Sequence, residues 1–148
     1  MLETARIDAL LLANHVEVVN GLLYVSGGGW TEHHRPVTPQ GPALSHLGIG
    51  VCVLVPWNNT NVPHTITILV EDEDANPLVK IDGQLNVGRP PNLPAGSEQA
   101  VMLGFPLNVQ FPHAGAYRAV VTLDENGDSK RWTFRVHDMA MPGASMAL

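Results

Sequence analysis

The sequence predicts an all-β protein, a single β-sandwich of about eight short antiparallel strands. Three observations carry that expectation. Apolar residues alternate with polar or small ones over short runs, as strands half-buried against a core require. Turn chemistry separates the runs, with Asn-Gly at 20–21 and again at 126–127 and twelve prolines scattered along the chain. No segment sustains the 3.6-residue period of an amphipathic helix. At 148 residues the chain suits one domain with one core, because compact domains commonly hold about 100–150 residues. The domain is expected over 1–137, followed by a tail over 138–148. A barrel built from the same strands is the alternative.

In chain order, the first strand is expected from Ile7 to Ala13, with Ile7, Ala9, Leu11 and Ala13 on one face. Val16-Glu17-Val18-Val19 and Leu22-Leu23-Tyr24-Val25-Ser26 flank Asn20-Gly21, the preferred pair of a two-residue type I′ hairpin. Thr31 to Pro42 reads as a polar connection. Over 43–56, Leu47, Ile49, Val51, Val53 and Val55 share one side, while His46, Gly48, Gly50, Cys52 and Leu54 share the other, and Pro56 ends the run. His64 to Asp72 is a further strand with Ile66, Ile68 and Val70 inward, and 78–86 and 98–111 supply two more. Gly88 to Gly96 contains three prolines, which fix φ, so it reads as a stiff, extended connector.

The clearest signal is Gly115 to His137, two β-rich runs around Asn126-Gly127. A two-residue turn sets Val121 opposite Trp132, Ala119 opposite Phe134 and Tyr117 opposite Val136, which puts the apolar positions of both strands on one face. The other face then presents Arg118, Arg131 and Arg135, with Arg118 directly opposite Arg135. Like charges in that position repel unless anions or carboxylates intervene. The tail Asp138 to Leu148 shows no partner pattern and is expected to be mobile.

Composition bounds the function. Charged residues are 15% of the chain and the net charge is −6. An acidic balance opposes the phosphate attraction on which nucleic-acid binding rests. The apolar stretch Ala9 to Ala13 is too short for an export signal or a membrane span. One cysteine, Cys52, permits no internal disulfide and agrees with a reducing, cytoplasmic setting. The expected partners are therefore a protein or further copies of the chain, without nucleic acid or membrane.

Few residues nominate themselves for chemistry. Gly27-Gly28-Gly29 lacks the spacing of a phosphate loop. It fits a strand end where backbone approaches closely, or a bed that lets Trp30 lie over a shallow groove beside 31–42. Among seven histidines, His33 and His34 are the metal candidates, but neighbours on an extended chain point to opposite faces. The acidic runs 71–74 and 124–128 would matter for calcium only if they met at one end of the sandwich, since calcium takes 6–8 oxygens. Cys52 lies in an apolar strand, where a thiol is a packed small residue. No catalytic residue and no cofactor are nominated. The residues nominated for partner binding are Arg118, Arg131, Arg135, Arg89 and Trp30.

The stretches DALLLANHVEVVNGLLYVSGGGW (8–30), Val-Pro-Trp (55–57), VGRPPNLPAG (87–96) and GAYRAVVTLDENGDSKRWTFRV (115–136) resemble an uncharacterised family of small, largely actinobacterial proteins known only as a domain of unknown function. The resemblance covers about residues 8–137. It implies a stand-alone cytoplasmic β-sandwich and supplies no catalytic residues. The Gly-x-Tyr before the last hairpin is also similar to the closing strands of immunoglobulin-like domains, so an immunoglobulin-like or jelly-roll-like sandwich is expected. The favoured function is a non-enzymatic binding or assembly module that presents loops 31–42 and 88–96, or an uncovered sheet edge. A small-ligand or divalent-metal-binding protein is the alternative, and a hydrolase with dispersed carboxylates ranks last.

Overall fold

The computed structural model describes residues 4–140. Its strands are β1 (Arg6–Val19), β2 (Leu22–Gly28), β3 (Glu32–Thr38), β4 (Gly41–Pro42), β5 (Ser45–Val55), β6 (Pro63–Asp72), β7 (Pro77–Asn86), β8 (Gln99–Val109), β9 (Gly115–Leu123) and β10 (Ser129–Ala140). They form two sheets, ordered β2-β1-β5-β8 and β4-β3-β10-β9-β6-β7. The sheets enclose one core, and the arrangement is a sandwich. The expected inward sets do the filling: Leu47, Ile49, Val51, Val53 and Val55 of β5 face Ile66, Ile68 and Val70 of β6, Tyr117, Ala119, Val121 and Leu123 of β9, and Phe134 and Val136 of β10. Fully burying one such side chain stabilises by about 1.5–3 kcal/mol, so the period-two pattern fixes which face points in.

The N-terminal region departs from the expected strands. Where the sequence suggested two, β1 is one strand of 14 residues. Ile7 pairs with Val53 and Ala9 with Cys52, which leaves Asp8 as an extra residue. That bulge reverses the phase of the strand. Leu10 and Leu12 turn inward, and Ala9, Leu11 and Ala13, expected beside Ile7, fall on the outer face opposite Cys52, Gly50 and Gly48.

The two Asn-Gly pairs behave differently. Asn20 (φ 51°) and Gly21 (φ 76°) are both left-handed and join Val19 directly to Leu22, as a type I′ turn does. At the second site only Gly127 has positive φ (71°). The Gly127 N–H donates to the Leu123 carbonyl (2.9 Å) and the Leu123 N–H donates to the Asp128 carbonyl (2.8 Å), so the loop spans 124–127. Ala119 therefore opposes Trp132, Tyr117 opposes Phe134 and Arg118 opposes Thr133. This is a two-residue slip from the expected register, which keeps every side chain on its face but removes the Arg118–Arg135 confrontation. The longer loop has work for its side chains: Asn126 Nδ2 donates to the Ala5 carbonyl (2.7 Å) and Asp128 accepts from the Ile7 N–H (2.7 Å). Together they tie the loop to the start of β1.

Residues 31–42 are not a mere connection. β3 runs parallel to β10, with Glu32 opposite Arg135 and Val37 opposite Ala140, and β4 adds two residues beyond it. The strand count is thus ten among the described residues, and one pairing is parallel. The connector after β7 is folded rather than extended, because the Leu93 N–H donates to the Pro90 carbonyl (3.0 Å) and the Ser97 N–H to the Pro94 carbonyl (3.1 Å). Proline presets φ for a turn as readily as for an extended segment. β10 continues past His137 because buried Arg35 holds Asp138 (2.6 Å) and the Phe111 carbonyl (2.6 Å); the rest of the expected tail, 141–148, lies outside the described residues. Tyr117 closes the same end, its hydroxyl donating to the His113 carbonyl four residues upstream (2.6 Å).

Candidate functional site

The two outer faces have opposite chemistry. On the six-stranded sheet, Arg118, Arg131 and Arg135 stand among threonines and acids. Arg118 is neutralised by Glu71 on the neighbouring strand (2.5 Å), and the Thr67 hydroxyl lies 3.0 Å from Asp82 and 3.1 Å from Asp124. The four-stranded sheet presents three rungs across β1, β5 and β8: Ala9–Cys52–Met102, Leu11–Gly50–Gly104 and Ala13–Gly48–Pro106. None of these nine residues is charged. Polar groups rim the face, with Arg6 and Glu98 paired at one end (2.7 Å). At the other end His15 bonds His46 (2.8 Å) and Glu17 (3.0 Å), and His46 bonds Asn108 (3.0 Å).

The hairpin of β1 and β2 crosses over part of this face. A Cβ added at Gly48 would lie 2.7 Å from the Val16 nitrogen, one at Gly50 2.9 Å from Leu23 Cδ2, and one at Gly104 3.2 Å from Val18 Cγ2. Glycines inside a strand often mark such a close approach, and here they seat Val16, which is fully buried. The rest of the hairpin is not covered. Eight large apolar side chains are exposed among the described residues, and five are Val18, Val19, Leu22 (60%), Tyr24 (56%) and Val25. Clustering of that kind on a soluble surface marks an interaction site.

The outer edges of the sheets sharpen the picture. Edge strands are usually protected by charge, proline or brevity. β7 carries Pro77, Lys80 and Asp82, β8 carries Pro106, and β4 is two residues long and ends in Pro42. β2, Leu-Leu-Tyr-Val-Ser-Gly-Gly, has none of these and pairs only with β1 among the described residues.

A family model matches residues 8–137, a span that runs from the β1 bulge to His137 and takes in both sheets. The chain belongs to DUF6941, a family of unknown function. No curated protein matches it. Membership in DUF6941 assigns no residue a role, so the site rests on the geometry.

The remaining nominated residues fall in separate places. Trp30 packs against the core, its ring stacked on His33 (centroids 5.4 Å apart) and edge-on to Phe134 (5.5 Å). His33 and His34 point to opposite sides of β3: His34 meets His137 (5.2 Å between centroids), while burial beside Trp30, and then the charge of His34, hold His33 below its ordinary pKa. Among the described residues no group of three or more His, Cys, Asp or Glu is placed to hold a metal ion. Arg89 lies over the Trp57 ring (3.9 Å) and donates to Thr60 (2.6 Å) and the Trp57 carbonyl (2.7 Å), which pins loop 88–96 to the turn after β5. Arg131 and Arg135 are exposed on the polar face.

The acidic runs lie at opposite ends of β9, since Asp72 pairs with Tyr117 and Asp124 follows Leu123, so they supply no common calcium cage. Asp72 instead accepts from the Asp74 and Asn76 N–H groups (both 2.9 Å) and from the Asn76 amide (3.0 Å). Those bonds, the Asn76 side chain foremost, hold its carboxyl below the usual range. Asp72 is also the one acid lining a cleft of about 670 Å³ between the end of β6, the start of β7 and the end of β8. Its oxygens are committed, so the cleft offers no free acid–base pair of its own. Burial pushes the Cys52 thiol up, the reverse of what a nucleophile needs. No helix among the described residues is long and apolar enough to cross a membrane.

Sequence reasoning missed the hairpin as a site. The signals were present: seven uncharged residues without proline at 22–28, and glycines at three outward positions, 48, 50 and 104.

Proposed function

We propose that this protein is a non-enzymatic binding module that engages its partner through the β1–β2 hairpin and the adjoining face of the four-stranded sheet. The observation that carries this reading is the exposure of five large apolar side chains on one hairpin, Val19, Leu22 and Tyr24 on its outer side and Val18 and Val25 on the side toward the sheet. An apolar centre bounded by the Arg6–Glu98 and His15–His46 groups matches the apolar core and polar rim of protein interfaces. Exposing those five side chains costs hydration free energy that a partner recovers, at about 25 cal/mol per Å² of apolar surface covered. The contact therefore lies on the opposite side of the molecule from Arg118, Arg131 and Arg135. The test compares wild type with Leu22→Lys/Tyr24→Lys, using light scattering of purified protein and pull-down from extract of the native cell. The module reading expects wild type to exceed its monomer mass or to retain a protein that the double variant loses. A monomer whose captured proteins are the same as the variant's overturns it.

A further inference from the structure

We infer that the partner at this hairpin is a second copy of the chain, bound by antiparallel pairing of β2 with β2 about a two-fold axis at Tyr24. The inference rests on the module reading above and specifies its occupant. It starts from the direction of the backbone groups. The two-residue turn makes Val19 and Leu22 a hydrogen-bonded pair, and antiparallel pairs alternate, so Glu17–Tyr24 and His15–Ser26 are hydrogen-bonded pairs as well. The N–H and C=O groups of Leu22, Tyr24 and Ser26 thus point toward β1. Those of Leu23 and Val25 point out of the sheet, where no strand among the described residues receives them.

A two-fold axis normal to the sheet keeps each side chain on its own side, so the summed residue numbers of opposed residues must be even. Three registers satisfy this near the strand centre. Centring on Leu23 sets Val25 against Gly21 (φ 76°), and centring on Val25 sets Leu23 against Gly27 (φ 60°). Both glycines are left-handed and cannot continue a ladder. Centring on Tyr24 pairs Leu23 with Val25 twice, uses only extended residues and places the two Tyr24 rings beside the axis. It also covers Leu22 with Ser26. The result is a continuous eight-stranded sheet across two copies.

Charge leaves the way open to a second copy. β2 contains no charged residue, so the two-fold sets no like charges opposite one another, although each chain carries a net −6. The other sheet edges carry Lys, Asp or Pro or are two residues long, so the surface of this chain that matches β2 is β2. An isologous contact of this kind closes on itself as a dimer.

The experiment is light scattering of the full chain together with disulfide trapping in Tyr24→Cys and Ser26→Cys. Cys52 is left in place, because it is buried. The pairing predicts twice the 15.9 kDa chain mass, rapid oxidation of Tyr24→Cys to a covalent dimer, and none for Ser26→Cys, whose two copies would sit about 13 Å apart along the strand, beyond the ~7 Å limit for a disulfide. Val25→Pro, which removes an outward N–H and leaves the β1 ladder intact, should return the mass to one chain. Should that variant fail to fold, Tyr24→Lys serves the same purpose. A dimer that survives Val25→Pro or Tyr24→Lys and does not trap at position 24 overturns the pairing and moves the contact elsewhere on the chain. A monomeric wild type overturns the second copy as occupant, and the pull-down comparison then decides the module reading separately.

Discussion

At the residue scale, His33 shows how a loop-like histidine becomes part of a core. It stacks on Trp30 and its Nε2 is buried with no hydrogen-bond partner among the described residues. Burial disfavours the charged ring, so the folded pKa lies below the unfolded value of about 6.5. The unfolded chain then binds more protons as pH falls through that value, and stability must drop with it. Melting temperatures taken from neutral pH down to mildly acidic pH should decline less steeply in His33→Phe than in wild type. Equal slopes would show that the imidazole is solvated. Asp72 has the same sign for a different reason: its depressed pKa comes from hydrogen bonds to the ionised form, so its contribution is present above the usual carboxylate pKa and fades as acid protonates it.

At the element scale, the hairpin lies close on its sheet because glycines leave room for Val16, Val18 and Leu23. A methyl at Gly48 would meet the Val16 backbone nitrogen at 2.7 Å, and backbone does not yield as a flexible side chain would. Gly48→Ala should therefore cost about 1–3 kcal/mol, at roughly 2–4 °C of melting temperature per kcal/mol for a chain of this size. Hydrogen exchange should rise across 14–28 and leave β6 and β9 protected; uniform loss of protection would refute a local seat for the hairpin. Gly48 and Gly50 read from the sequence as outward positions of an alternating strand, yet nothing nearby names what approaches them. Period-two runs gave the inward sets of β5, β6, β9 and β10, because burial on one face is a local constraint. The parallel pairing of β3 with β10 and the four-residue loop at 124–127 depend on partners more than a hundred residues away and the Asp8 bulge on β5, more than forty away, and no local pattern encodes them. The edge character of β2 belongs to the same class, since a strand is an edge only once all other pairings are known.

At the scale of the whole molecule, the division of charge between the two outer faces decides how association must respond to salt. A contact through Arg131 and Arg135 would gain from Coulomb attraction, which weakens as the screening length contracts from about 10 Å at 0.1 M to about 3 Å at 1 M ionic strength. A contact through Val18, Val19, Leu22, Tyr24 and Val25 buries apolar surface and main-chain groups, which such screening does not weaken. Each chain carries a net −6, so two copies repel at long range, and salt relieves that repulsion. The mass of wild type in solution should accordingly hold or rise as salt increases over this range, and Arg131→Glu/Arg135→Glu should leave it unchanged. Dissociation at high salt, or in the double glutamate variant at low salt, would transfer the interface to the arginine face of the six-stranded sheet.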